Sequence, residues 1–271
     1  MKITVEAGRT EKQYWKDIWR YRELFFFLAW RDLLVRYKQT IIGISWALIR
    51  PLLTMAVLTV VFGKIANLPS GGVPYPILVF AALMPWQFFA SAFSEAGNSL
   101  INNSNMISKV YFPRLTIPVS VVMVNLVDFL ISLILMVVLM VFYGHMPGPE
   151  ILVLPLFIVA VVAISVGSGL WVAALNVKYR DFRYVIPFVV QFGLYISPVG
   201  FSSDVVPSAW RLAYSLNPMV GVIDGFRWTI LGGSHEIYMP GFVLSMSVAV
   251  LILVSGISYF RRTEKLFADV I

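Results

Sequence analysis

The sequence has no cysteine, only two histidines and few charged side chains. The absence of cysteine excludes disulfide scaffolds, thiolate metal sites and cysteine nucleophiles, and two histidines leave little for an imidazole-based metal site. Charged residues make up 13% of the 271 residues, whereas soluble domains carry about 25%. Apolar residues make up 59%. Because so few charges cannot cover the surface of a globule of this size, the composition excludes an ordinary water-soluble protein and indicates an integral membrane protein.

Several catalytic motifs are also missing. The sequence has no Gly-x-x-x-x-Gly-Lys-Ser/Thr loop, so it cannot hold nucleotide phosphates by that route. It has no His-Glu-x-x-His motif, no Gly-x-Ser-x-Gly motif and no paired carboxylates on one helix. We therefore predict that the chain is not an enzyme and holds no metal or cofactor. If transport requires an energy source, that energy comes from elsewhere.

Long apolar stretches are present, and we count six of them. A membrane helix needs about 20 mostly apolar residues, because the hydrocarbon core is about 30 Å thick and a helix rises about 1.5 Å per residue. The fifth stretch is the weakest, since it is short and contains Pro187 and Pro198. The predicted fold is an all-α integral membrane protein with six transmembrane helices, near 41–65, 76–94, 115–143, 151–175, 184–201 and 237–260.

Lysine and arginine residues indicate the orientation, because they concentrate in cytoplasmic loops. If both termini are cytoplasmic, 17 of them lie on the inner side and three on the outer side, namely Lys64, Arg211 and Arg227. We predict that both termini are cytoplasmic. The formal net charge of +7 is then mostly the result of this asymmetry, so we expect no nucleic-acid partner.

The chain divides into a cytoplasmic N-terminus (1–40), a transmembrane domain (41–260) and a cytoplasmic tail (261–271). Within the first part, residues 10–38 are expected to form an amphipathic helix at the membrane interface, because tryptophans recur at helical intervals among basic residues. Two interpretations of this helix remain open. It is either a plain anchor that sets the topology or a platform that also meets a cytoplasmic partner.

Two short cytoplasmic connections, 97–114 and 176–183, are polar, contain aromatic residues and are too short to be domains. They suit docking to a soluble motor, and solvated loops are the alternative. The outer segment 202–238 is long and apolar, and Asn217 and Pro218 divide it into halves too short to span a bilayer. We expect a re-entrant helix pair between the fifth and sixth transmembrane helices. A simple external cap is the alternative.

Asp128 is an acidic residue near the middle of the third predicted span, with Asn125 and Ser132 on the same helix face. A carboxylate at that depth costs at least about 2.5 kcal/mol, so it should face a cavity or a partner. An interhelical hydrogen bond, a pore-facing role and a proton relay all remain open. Arg50 lies within the first predicted span, and we expect its side chain to reach the nearby inner interface.

Four motifs give the chain a specific resemblance. They are YKQTIIGISWAL followed by Pro51 (37–51), MPWQFF (84–89), NVKYRDFR (176–183) and LNPM (216–219). Together they resemble the membrane subunit of type-2 ABC exporters, in the group of permeases that move O-antigen, capsular polysaccharide and teichoic acid. The resemblance extends from about residue 14 to about residue 262.

The resemblance implies a homodimer in a bacterial cytoplasmic (inner) membrane. Two cytoplasmic ATP-binding subunits would be attached and would carry ATP and Mg, and the substrate would be a polyprenyl-diphosphate-linked glycan. The N-terminal helix and the loop near residue 180 would contact the ATPase, and the outer helix pair would form the extracytoplasmic gate. The ATPase-coupling candidates are Lys178, Tyr179, Arg180, Asp181, Phe182 and Asn105.

Aromatic rings within or beside the spans suit a sliding glycan, because sugars pack their C–H faces on rings. Interfacial belts and lipid-facing packing are the alternative for many of these rings. A secondary transporter, a membrane enzyme and an ABC exporter of a small lipid or drug remain open as other functions. The channel and gate candidates are Trp46, Trp86, Phe88, Phe89, Asp128, Trp210, Tyr214, Phe226 and Trp228.

Overall fold

A computed structural model describes residues 11–38, 41–110, 112–179, 181–233 and 236–267, with the backbone alone for 11–13, 41–47 and 266. Within these ranges the chain contains no strand. The helices are α1 (Glu11–Arg20), α2 (Arg22–Lys38), α3 (Ile41–Leu58), α4 (Tyr75–Asn102), α5 (Ser104–Ile107), α6 (Thr116–Phe142), α7 (Leu154–Lys178), α8 (Phe182–Ile196), α9 (Ser208–Tyr214), α10 (Pro218–Ile230) and α11 (Met239–Thr263). A π-helical segment, Thr59–Ile65, continues α3, and 3-10 segments cover Pro149–Val153, Ser203–Val205 and Glu264–Leu266.

Five helical stretches are long and apolar enough to cross a membrane, which confirms the all-helical membrane class. They coincide with five of the six predicted spans. The fifth prediction, 184–201, is corrected: α8 has 15 residues and ends at Ile196, before Pro198. Its length of about 22 Å is less than the hydrocarbon thickness of about 30 Å. The five stretches are Leu48–Ile65, Tyr75–Asn102, Thr116–Phe142, Pro149–Lys178 and Met239–Thr263.

The helix α4 is the centre of the molecule. In its most apolar window, 78% of the residues are buried, whereas the other four spans are at most 33% buried in theirs. It packs against α6, α7 and α10. Phenylalanine rings join these helices, since Phe129 lies 5.5 Å from Phe88 and 5.9 Å from Phe226, measured between ring centroids. The other spans therefore surround α4 and expose more of their apolar surface.

The N-terminal segment forms two helices, which corrects the single helix predicted over 10–38. The chain turns at Tyr21, between α1 and α2, although the Tyr21 N–H still donates to the Asp17 carbonyl at 2.9 Å. One face packs into an apolar cluster in which Leu28 is buried. The opposite face exposes aromatic rings, with Trp19 71% and Trp30 61% exposed. This exposed aromatic face suits a helix pair at a membrane interface.

The outer segment contains helices on both sides of the predicted break. α9 has only seven residues, shorter than expected, and α10 has 13. Asn217 caps α10, because its side-chain oxygen accepts a hydrogen bond from the Met219 N–H at 3.0 Å. Its amide group also donates to the Ser197 hydroxyl at 2.9 Å. The break is therefore fixed in place by the residue after α8.

Candidate functional site

A cavity of about 540 Å³ lies between α3, α4, α6 and α8, with the end of α2 at one side. Along α4 it extends from Leu83 to Glu95, a distance of about 18 Å at helical rise. Aromatic and polar side chains line it together. Its lining includes Arg36, Tyr37, Arg50, Pro51, Thr54, Trp86, Gln87, Phe88, Ser91, Glu95, Asn125, Asp128, Phe129, Ser132, Val190, Gln191 and Leu194.

Asp128 faces this cavity and is paired within the protein. The two guanidinium nitrogens of Arg36 each lie 2.5 Å from a carboxylate oxygen, one of Asp128 and one of Glu95. The Tyr37 hydroxyl donates a hydrogen bond to Asp128, and the Asn125 amide donates to Glu95 at 2.8 Å. These five residues form the ion cluster, which joins α2, α4 and α6.

The ion cluster keeps the Tyr37 phenol protonated. Burial and the hydrogen bond to Asp128 both raise the pKa of Tyr37, so its hydroxyl remains a donor at neutral pH. Arg36 and Glu95 are partners that the sequence did not identify. Arg36 looked like one more basic residue of the cytoplasmic N-terminus, and only the need of Asp128 for a partner pointed towards it.

Of the predicted channel aromatics, Trp86 and Phe88 line the cavity. Phe89 is mostly buried and packs between Trp86 and Phe93, with ring centroids 5.6 Å from each. It therefore supports the cavity wall. Trp46 has a side chain outside the described part of the structure. Arg50 also lines the cavity, and its reach towards the inner interface stays a prediction.

The predicted gate residues separate into exposed and buried sets. Trp210 on α9 is 67% exposed, whereas Phe226 on α10 is completely buried against Phe129 and Phe157. Phe226 is therefore a core residue of the subunit and does not face a pore, which corrects that prediction. Tyr214 and Trp228 are partly buried, and Tyr214 lines a small outer cavity.

The helix α10 is held by a buried cation that the sequence analysis treated only as an outer-loop charge. The Arg227 guanidinium donates to the carbonyls of Leu78, Val199 and Phe201 at 2.8–3.2 Å. Only 1% of Arg227 is exposed. Because its acceptors belong to α4 and to the segment after α8, Arg227 fixes α10 against both.

The predicted coupling residues lie in two separate connections. Asn105 is exposed on the short helix α5. In the second connection Lys178 ends α7, and its ammonium group lies 5.0 Å from the centre of the Tyr179 ring. α8 begins at Phe182, and Asp181 is the residue just before it. The centroids of the Phe182 and Tyr179 rings lie 6.4 Å apart. Arg180 is outside the described residues.

Comparison with known proteins gives a family and several relatives. Residues 23–231 match the family described as ABC-2 type transporter. An O-antigen export system permease protein RfbA of Myxococcus xanthus is 27% identical over 94% of this chain and 97% of its own length. A protein of the same name from Klebsiella pneumoniae is 27% identical over 92% and 95%. The polysialic acid transport protein KpsM of Escherichia coli is 20% identical over 87% and 91%.

Proposed function

This chain belongs to the ABC-2 type transporter family, and we propose that it is the transmembrane subunit of an ATP-driven exporter of polysaccharide. The observation that carries the proposal is the cavity between α3, α4, α6 and α8, which combines aromatic and uncharged polar side chains. Polysaccharide as the cargo is also supported by the comparisons. The chain is similar over nearly its whole length to O-antigen export permeases and to a polysialic acid transport protein.

The cavity lining suits a sugar polymer. Trp86 offers an indole ring, and Gln87, Ser91 and Gln191 offer amide and hydroxyl groups along the same wall. Sugar rings have both apolar C–H faces and hydroxyl groups, so a path for glycan needs both kinds of surface. Contacts of this type tolerate changes in register, which a sliding polymer requires.

The functional unit in this proposal is a homodimer. A single copy leaves the cavity open at one side and exposes apolar side chains of α3 and α8, the helices that flank it. Leu53 and Val57 of α3 are 58% and 60% exposed, and Phe188 of α8 is 57% exposed. A second copy facing these helices would enclose a path between the two subunits.

The proposed topology has six spans with both termini in the cytoplasm of a bacterial cell, in the cytoplasmic membrane. We take α8 together with the residues that follow it, up to residue 201, as the fifth crossing, since α8 alone is shorter than the hydrocarbon core. α9 and α10 form the re-entrant pair. This assignment is supported by the burial of α10, which carries ten buried residues although it is too short to span.

The energy source in this proposal is a pair of cytoplasmic ATP-binding subunits, which hold ATP and Mg. The helix α5, where Asn105 is exposed, and the connection from Lys178 to Phe182 are the surfaces that these subunits would contact. The cargo is a glycan attached to a polyprenyl diphosphate. A lipid carrier of this kind would place its diphosphate at the level of the membrane interface and its glycan in the path.

Deletion of the gene tests the proposal. Cells without the gene should accumulate lipid-linked glycan inside and lose it from the surface, and the wild-type gene should restore it. Inactivating the ATPase of the partner subunit should have the same effect. Surface glycan that persists without the gene, or export that persists without ATP hydrolysis, would contradict an ATP-driven glycan exporter. The second result would instead favour a secondary transporter.

A further inference from the structure

Arg50 is a charged side chain within a membrane span that lacks an ionic partner among the described residues. It lies on α3 inside the candidate span Leu48–Ile65 and lines the cavity. The ion pairs found among the described residues involve other cations. The Arg50 carbonyl accepts a hydrogen bond from the Thr54 hydroxyl at 2.9 Å, but this contact leaves the guanidinium group itself unoccupied within the described part of the chain.

The carboxylates of the same cavity are already engaged elsewhere. Glu95 and Asp128 both bond to Arg36, and Tyr37 donates a further hydrogen bond to Asp128. The ion cluster has one carboxylate more than it has guanidinium groups, and Arg50 brings the charge of the cavity close to neutral. Arg36 holds both carboxylates, however, and no ion pair found among the described residues joins Arg50 to either of them. Arg50 therefore balances their charge without a direct contact, and its guanidinium is not held by an acid of the cavity.

A guanidinium group at membrane depth is stable when an anion or water accompanies it. Its planar fork of N–H donors matches the oxygens of a phosphate group in a bidentate manner. Neutral donors line the same cavity, namely the amides of Gln87 and Gln191. Of the two cations in the lining, Arg36 is paired with carboxylates, so Arg50 and the two amide groups are left for an anion that enters at this depth.

We propose that Arg50 binds a phosphate group of a lipid in the cavity. The inference rests on the proposed function, in which that lipid is the diphosphate carrier of the glycan. A headgroup of the surrounding phospholipid has the same chemistry and is the second source of phosphate. In either case the charge of Arg50 selects lipids that carry phosphate over the same lipids without it.

Binding of polyprenyl diphosphate to the full-length protein in a phosphate-free maltoside detergent tests this site. The wild type should bind polyprenyl diphosphate at least about tenfold more tightly than Arg50→Gln does, since a charge-assisted bidentate pair is lost. Arg50→Lys should fall between them, because an ammonium group lacks the fork. Polyprenol, which has no phosphate, should bind equally to all three proteins. Lys64→Gln is the matched control, because Lys64 is an exposed cation of the π-helical continuation of α3 that does not line the cavity.

Competition with phosphatidylglycerol distinguishes the two sources. If it displaces polyprenyl diphosphate at equal concentration, and does so less well in Arg50→Gln, the site binds phospholipid headgroups as well as the carrier. Equal affinity of wild type and Arg50→Gln for polyprenyl diphosphate overturns the proposal, as does a wild type that binds polyprenol equally well or binds neither lipid. Gel filtration confirms that each variant is folded. The cellular export assay is independent, so a chain that exports glycan but fails the binding test refutes only the role of Arg50.

Discussion

Asp128 is held at membrane depth by a cation and a phenol that both come from α2. Its carboxylate has Arg36 at 2.5 Å and also accepts a hydrogen bond from Tyr37. Arg36 divides its two nitrogens between Asp128 and Glu95, so the loss of either acid changes the environment of the other. The side chains are only partly exposed, between 27% and 42%. The cluster is therefore a shared arrangement in which the partners depend on one another.

We expect Asp128→Asn and Asp128→Leu to behave differently. Asparagine keeps the shape and one acceptor oxygen for Arg36, so the variant should fold and export glycan. Leucine leaves Arg36 and Tyr37 without this acceptor, and we expect a loss of roughly 1–3 kcal/mol in stability together with impaired export. Thermal unfolding of the purified protein and surface glycan are the two measurements. If both variants match the wild type in both assays, the carboxylate has no structural or transport role.

Arg227 gives a second prediction, which concerns the outer side. Arg227→Met removes the guanidinium while keeping an unbranched side chain, and the buried carbonyls of Val199 and Phe201 lose their donors. Each unsatisfied group costs about 1–3 kcal/mol, so we expect severe loss of folded protein. Arg227→Lys should rescue only part of it, because one ammonium group cannot replace the planar fork. Thermal unfolding measures both effects.

Arg211 is the matched control for this prediction. It also donates to backbone carbonyls of the outer segment, but it is only partly buried. Arg211→Gln should therefore change stability by less than about 1 kcal/mol. Comparable losses in Arg227→Met and Arg211→Gln would show that burial of the Arg227 contacts is not what holds α10.

The sequence identifies Asp128 as a residue that needs a partner, because a lone carboxylate is costly at that depth. It does not identify the partner, since Arg36 is 92 positions away and belongs to a segment rich in basic residues. Arg227 has the same difficulty. Its charge alone fits a solvated outer loop, and its burial depends on three acceptors from two other parts of the chain.

At the scale of elements, α7 and α11 approach each other more closely than side chains would allow. A methyl group added to Gly167 would lie 2.6 Å from the Cα atom of Leu253, and one added to Gly256 would lie 2.2 Å from the Gly167 carbonyl oxygen. Both neighbours are backbone atoms, which cannot move without shifting a helix. Small residues at helix crossings permit this kind of packing in membranes.

Gly167→Ala should therefore separate the two helices and destabilise the protein by about 1–3 kcal/mol. Thermal unfolding in detergent measures the change. Ser168→Ala is the matched control on the next position, because the Ser168 hydroxyl bonds only to carbonyls of its own helix, Ile164 at 2.6 Å and Ser165 at 3.5 Å. A Gly167→Ala variant as stable as Ser168→Ala would mean that the helices are not in close contact.

Three parts of the chain meet at Glu264. Its carboxylate accepts hydrogen bonds from the Tyr14 hydroxyl of α1 and from the Arg114 N–H, both at 2.8 Å, and the Arg114 side chain donates to the Glu264 carbonyl. Arg261 lies 4.6 Å from the centre of the Tyr14 ring. These contacts join the N-terminal helix, the connection before α6 and the C-terminal tail.

This junction should depend on pH. Burial raises the pKa of the Glu264 carboxyl group above its value in the unfolded chain. The stabilisation linked to this group is therefore complete below the unfolded pKa and is lost as the pH rises through the folded pKa. We expect hydrogen-exchange protection of α1 to decrease over that range. Glu264→Gln, which is neutral at all pH values, should remove the dependence and keep the α1 contact.

Two further variants make the pH experiment decisive. Glu264→Ala removes the acceptor of Tyr14 and of the Arg114 N–H, so α1 should lose protection at every pH. Glu23→Gln changes an exposed acid at the start of α2 and should leave the profile of the wild type intact. A pH dependence that survives in Glu264→Gln would assign the titration to another group.

The sequence predicts helices well where length and apolarity alone determine them. It predicts them less well where packing determines where a helix ends or turns. Five of the six predicted spans have helices long enough to cross a membrane. The boundary of α8 was misplaced because the apolar run continues past Ile196 although the helix does not. The sequence prediction did not include the turn at Tyr21. The backbone hydrogen bonds continue through this bend, so the two helices follow one another closely. In contrast, Asn217 and Pro218 marked the break before α10 correctly, since capping is a local property.

At the scale of the whole molecule, the outer segment combines a fixed helix with an exposed one. α10 is buried and is anchored by Arg227, whereas α9 presents apolar side chains that no described part of the subunit covers. Trp210 is 67% exposed and Leu216, just after α9, is 57% exposed. In a homodimer, surfaces of this kind can meet and exclude water from a resting path. The movable part of an outer gate would then be α9, with α10 as its support.

Single cysteines test this arrangement, and they are convenient because the chain has no cysteine of its own. Trp210→Cys and Leu216→Cys should form disulfides between two copies in resting membranes and block export until they are reduced. Leu152→Cys is the control, because Leu152 is an apolar residue with 81% exposure that lies outside the segment. It should not cross-link, and Phe226→Cys should not either, since that position is buried. Because a disulfide requires Cα atoms within about 7 Å, cross-links confined to positions 210 and 216 would place α9 and the residues just after it at the contact between subunits. If neither position cross-links or affects export, the segment is a passive cap and the path is closed elsewhere.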